Sequence, residues 1–84
     1  MITATQCIAA RKLLHWTRPR LADAAKTSTN TVRNLELGLH EIRLMNAFSI
    51  RRALEAAGVI FTSLEGDRPG VRLRNRVRAP GNLP

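Results

Sequence analysis

The stretch Thr17-Arg18-Pro19-Arg20-Leu21-Ala22-Asp23-Ala24-Ala25-Lys26-Thr27-Ser28-Thr29-Asn30-Thr31-Val32-Arg33-Asn34-Leu35-Glu36-Leu37-Gly38 decides how this chain folds. Thr17 reads as an N-cap, because its hydroxyl oxygen can accept from the N–H groups left open at a helix start. Pro19 falls in the first turn, where its missing N–H is harmless. Leu21, Ala24 and Ala25 form the inner face of this helix. Lys26-Thr27 is a short break, and Ser28 is a second N-cap. The spacing then predicts a helix from about Thr29 to Leu37, with Val32 and Leu35 inward and Gly38 as its C′ residue.

Two short helices joined by a break of three to four residues are the pattern of a helix-turn-helix. The second helix leaves Thr29, Asn30, Arg33 and Asn34 facing out. Asn bonds adenine bidentately, Arg bonds guanine, and a Thr methyl meets the methyl of thymine, so these four are the candidate base-reading residues. The first helix would lay its positive N-terminus on backbone phosphates. Thr17 and Arg18 there, with His40 and Arg43 from the loop after Gly38, are candidate phosphate contacts.

Outward from this core, a helix is expected from about Thr5 to Leu14, capped by Thr3 or Thr5. Its apolar positions are Cys7, Ala10 and Leu14, flanked by Ile8, Ala9 and Leu13. Cys7 reads as a small buried hydrophobe and Trp16 as a core plug at the helix end. Leu39 to Arg43 is a loop. A fourth helix from about Leu44 to Ala57 carries Ala47, Ile50, Leu54 and Ala57 as its stripe and stops at Gly58. Arg51 and Arg52 on it suit a solvated face and phosphate contact equally.

Beyond Gly58 the pattern turns extended. Val59-Ile60-Phe61-Thr62 reads as a strand. Glu65 to Gly70 is turn chemistry. Val71 to Arg78 alternates, placing Arg72, Arg74, Arg76 and Arg78 on one face, which suits either an electrostatic arm along phosphates or an edge strand protected from aggregation by charge. Residues 79–84 read as a flexible tail. The expected organisation is therefore a DNA-binding segment at 1–58, a strand and arm segment at 59–78, and the tail. An isolated hairpin is marginal in water, so pairing with a second copy through Val59, Ile60, Phe61, Val71 and Leu73 is expected.

Charge and composition point the same way. Fourteen Lys and Arg oppose six Asp and Glu across 84 residues, a net +8 with a pI near 11.7. Such a balance suits a polyanion partner. A hydrophobic content of 44% is normal for a folded chain, so a merely disordered basic tail is excluded. One cysteine excludes a disulfide framework and fits a reducing, cytoplasmic setting. With two histidines it makes no familiar zinc site, and no cofactor is expected. No apolar run spans a bilayer. No Gly-rich phosphate loop or paired His and carboxylate supports catalysis, so no enzyme is expected.

At these residues the chain resembles the XRE family, the helix-turn-helix of phage Cro and CI repressors. The matching residues are Gln6 to Thr17, Leu21 to Ala25, Ser28, Thr31 to Glu36 and Gly38. The stretch from Ile50 to Phe61 is similar to a short subgroup common in α-proteobacteria, with a β segment after the last helix. The resemblance implies a mainly α fold, a repressor-like bundle of four to five helices with a short C-terminal β-hairpin. It implies a homodimer on an inverted-repeat operator in double-stranded DNA. It further implies base-reading places for Thr29, Asn30 and Asn34 with Arg33 nearby, a phosphate contact at Arg18, and an ion pair between Arg11 and Glu36. Lys26 stands where the family prefers Gly, Arg20 where a capping Glu is usual, and Leu37 where a polar residue is common. Two functions follow as expectations. One is a sequence-specific transcriptional regulator, most simply a repressor. The other is an antitoxin or mobile-element accessory protein that assembles with a second protein.

Overall fold

The computed structural model describes residues 2–38, 43–62 and 70–74. It is mainly helical, with four helices and one small antiparallel sheet: α1 (Ala4–Leu14), α2 (Arg18–Ala25), α3 (Thr29–Leu37), α4 (Leu44–Ala56), β1 (Val59–Thr62) and β2 (Gly70–Leu73). No fifth helix occurs among the described residues, and none of their helices is long and apolar enough to cross a membrane.

Side-chain oxygens start the first three helices. Thr3 begins α1 with a full capping box: its hydroxyl accepts from the Gln6 N–H, and the Gln6 side chain accepts from the Thr3 N–H. Thr17 accepts from the Arg20 N–H and Ser28 from the Thr31 N–H. Thr17 caps alone, since Arg20 has no oxygen to reciprocate. The same three helices end on left-handed residues, His15, Lys26 and Gly38. Only Gly38 adopts that backbone without steric cost. His15 (φ 59°) and Lys26 (φ 57°) hold it at about 1–2 kcal/mol each. The geometry still serves them, because it lets the Trp16 and Thr27 N–H groups return to the Arg11 and Ala22 carbonyls.

The core gathers one face of each helix and one residue of the sheet. Leu21, Ile50, Leu54, Val32, Val59 and Cys7 are its largest fully buried side chains. Ile2 is also buried, a contribution the sequence reading did not assign. Trp16 is half-buried against the core, with the Arg20 guanidinium 4.6 Å above its ring.

The hairpin packs on the chain's own core, and four of the five residues expected to pair with a second copy take part in that packing. Val59 faces Leu73 and Phe61 faces Val71 across the ladder. Val59 is fully buried, and Phe61, Val71 and Leu73 pack against the core. These four side chains therefore serve the chain's own interior. Ile60, opposite Arg72, lies on the other face by the strand's alternation. The Gln6 side-chain amide donates to the Gly70 carbonyl and ties β2 to α1.

Of the alternation expected from Val71 to Arg78, β2 takes in Val71 to Leu73, and Arg74 lies in a turn. The ladder closes at Val59 and Leu73, because β1 begins there, just after Gly58 turns at φ 109°. Positions 75–78 of that expected strand lie outside the described residues.

Candidate nucleic-acid interface

An α-helix turns about 100° per residue. From Thr29, the residues Arg33, Asn30 and Asn34 fall at about 40°, 100° and 140°, so all four share one arc of α3. The burial agrees: Thr29, Asn30 and Arg33 are exposed and Asn34 is half-exposed. Val32 and Glu36, at about 300° and 340°, fall outside this arc and are buried. The arc thus presents two amides, a guanidinium and a hydroxyl on a rigid rod. Leu37, exposed, shares it at about 80°. It stands where the resemblance expects a polar residue, and its methyl groups suit an apolar contact such as a thymine methyl.

The back of α3 is anchored by a buried carboxylate. The Glu36 side chain is fully buried and accepts from three side chains on two other helices. Arg11 grips it bidentately, Nε to Oε2 at 2.8 Å and Nη2 to Oε1 at 2.9 Å. Arg18 Nε donates to Oε1 at 2.9 Å. The Cys7 thiol donates to Oε2 at 3.2 Å, so Cys7 is a hydrogen-bond donor as well as a small core residue. Arg11 Nη1 continues to the Trp16 carbonyl at 3.0 Å. One acid thereby joins α1, α2 and α3.

The protonation states follow from this geometry. Burial pushes the Glu36 carboxyl up, but the hydrogen bonds from Arg11, Arg18 and Cys7 outweigh it and hold the group below its usual range. The same ion pair lifts Arg11 above its ordinary value against the cost of burial. Burial first, and then the hydrogen bond to Glu36, push the Cys7 thiol far up, so it stays neutral and donates.

A depressed carboxyl has a definite consequence for acid stability. Below the unfolded value of about 4.3, the unfolded chain binds the proton that folded Glu36 still refuses. Stability from this group is therefore complete above that pH and is lost as pH falls through the folded value. The stability gap between wild type and Glu36→Gln, measured by urea unfolding, should be widest near neutrality and shrink on acidification. A gap constant from about pH 6 to pH 3 would show that Glu36 does not titrate with folding.

The remaining candidates divide. Thr17 and Arg18 stand at the N-terminus of α2, exposed and half-exposed. Arg18 is committed through Nε to Glu36, which leaves its terminal nitrogens to reach outward. Arg43 is exposed at the N-terminus of α4. Arg72 is exposed on the outer face of β2. Arg74 departs from the expected arm: it follows the strand, and its Nη2 donates to the Glu55 carbonyl in the last turn of α4 at 3.2 Å. That contact adds a second donor to a helix-end carbonyl that already accepts the Gly58 N–H, and it opposes the negative end of the helix dipole. Arg51 is likewise engaged, with Nε on Glu55 at 3.0 Å and its guanidinium 4.8 Å from the Phe61 ring centre. His40, Arg76 and Arg78 lie outside the described residues.

Comparison of the chain with known protein families and with curated proteins found no match.

Proposed function

We propose that this chain is a sequence-specific double-stranded DNA-binding regulator, most simply a repressor acting as a homodimer on an inverted repeat. The observation that carries the reading is the exposed arc of α3, where Thr29, Asn30, Arg33 and Asn34 stand together over a buried Arg11–Glu36–Arg18 anchor. Base-edge recognition needs donors and acceptors held in fixed register, and a helix clamped from behind supplies that rigidity. In this reading α2 and α3 are the two helices of a helix-turn-helix. α3 enters the major groove, while Thr17, Arg18 and Arg43 meet phosphates beside it. The net charge of +8 adds sequence-independent attraction and fast encounter.

Homodimer formation uses what the hairpin leaves over: Ile60 on the outer face and the strand edges. A twofold mate there would set two copies of α3 about one DNA turn, near 34 Å, apart.

Selection from a pool of random duplexes tests the proposal. The expected product is an inverted repeat with half-site centres about one turn apart, preferred over random duplex by roughly 10³–10⁷ at fixed salt. Tight binding with no enriched sequence would reject the regulator and leave a nonspecific polyanion binder.

A further inference from the structure

We propose that the groove between the C-terminal turn of α2 and the outer face of α4 docks an acidic amphipathic helix of a partner protein. The groove is an open depression of about 550 Å³. Its lining includes Ala24, Ala25, Ala53 and Ala56, whose side chains end at Cβ and leave room for bulky apolar groups. Phe48, 50% exposed, forms one wall. The apolar surface continues along α4 to Leu44 and Met45, 69% and 72% exposed. Leu44, Phe48, Arg52 and Ala56 recur every fourth residue and so stack along one face. This 13-residue helix offers a track about 20 Å long, the length of a partner helix of three to four turns.

The charge around the groove selects the partner. Lys26 and Arg52 border it, and the Arg52 guanidinium sits 5.7 Å from the Phe48 ring centre. Lys26 holds its place in a left-handed backbone that glycine adopts far more easily. The Glu55 carboxylate that also lines the groove is occupied by Arg51. Apolar anchors flanked by Asp or Glu therefore match this surface. A second copy matches poorly. α1 has no acid, α2 has only Asp23, the acid of α3 is buried Glu36, and that of α4 is Glu55. No described helix offers an exposed acidic face. Phosphate backbones gain nothing from exposed Leu, Met and Phe side chains. None of Thr29, Asn30, Arg33 and Asn34 lines the groove, so partner and DNA can bind together.

The test uses the full chain and a fluorescein-labelled helical peptide of roughly the length of α4, with Leu at every third or fourth position between glutamates. A control peptide replaces each Glu with Lys. The acidic peptide should bind saturably, should not be displaced by saturating duplex DNA, and should shift the amide signals of Phe48, Ser49, Arg52 and Ala53. Arg52→Glu should weaken it about tenfold and favour the lysine peptide, as expected for a desolvated charge at a small interface. Phe48→Ser should weaken both peptides while melting temperature and duplex affinity stay at wild-type values. Displacement by DNA, or shifts confined to α3, would overturn the proposal. So would a dimer in sedimentation that Phe48→Ser dissociates, which would make the occupant a second copy. Binding to phosphatidylglycerol vesicles that needs Phe48, without peptide binding, would assign the patch to a bilayer instead. Every outcome is independent of whether selection finds an operator.

Discussion

Replacing Glu36 by Ala should cost the fold about 3–5 kcal/mol and lower the melting temperature by on the order of 20 °C. The carboxylate accepts from Arg11, Arg18 and Cys7 together, and its side chain is fully buried. Removing it leaves the Arg11 guanidinium, 15% exposed, facing a cavity with its charge uncompensated. A chain of this size has a total stability of only about 4–13 kcal/mol, so the loss takes a large share. Glu36→Gln keeps the volume and one acceptor oxygen, and should fall between. Cys7→Ser keeps a donor at the same place and should cost far less than Glu36→Ala. Thermal unfolding of the four proteins orders them. A Glu36→Ala variant melting within about 3 °C of wild type would mean that the cluster carries little of the fold, since less than one kcal/mol would then be lost.

The loss should spread to binding, because the cluster is what fixes the three helices relative to one another. Arg18 complicates the simplest phosphate test. The sequence places it at a helix start, where its removal should weaken all duplexes alike. The structure adds that its Nε holds Glu36. Arg18→Ala therefore loses stability together with affinity, and only a comparison at a temperature where both proteins are fully folded separates the two.

What sequence reading reached, and where it stopped, follows the range of the contacts. The caps at Thr17, Ser28 and Gly38 depend on atoms within four residues, and a local pattern identifies them. Helix α3 runs over the expected residues for the same reason, and α4 ends one residue short because Ala57 serves as its cap. The Arg11–Glu36 pair, 25 residues apart, was available only through resemblance. Cys7 as a donor, Arg18 as a second clamp and the bond from Gln6 to Gly70, 64 residues away, have no periodic signature at all. Lys26 shows a subtler limit. Its identity argues against a left-handed turn, yet tertiary packing imposes one. The hairpin shows a different limit. Its alternation correctly marks an inner face, but alternation does not say whose core that face enters. Here it is the chain's own.

Asn34→Ala should cost about 1–3 kcal/mol per half-site and relax preference at one base position. On a twofold operator that is about 2–6 kcal/mol, or between roughly thirtyfold and twenty-thousandfold in affinity. The reason is geometric. Asn34 is half-exposed on the arc of α3, and its amide offers a donor and an acceptor in the plane that an adenine edge requires. Alanine is also a better helix former than asparagine, so the fold should not weaken and the loss should belong to recognition alone. Arg43→Ala supplies the contrast. Its side chain is exposed at the start of α4, and a phosphate contact there would be lost equally on every sequence. Two protomers would then make the plot of log affinity against log salt shallower by about 1.8, at ~0.9 per contact. Measured on operator and random duplex across a salt series, the two variants should fail in different ways. Asn34→Ala should collapse the ratio and keep the slope. Arg43→Ala should keep the ratio and flatten the slope. If Asn34→Ala weakens operator and random DNA by the same factor, α3 is not the reading helix.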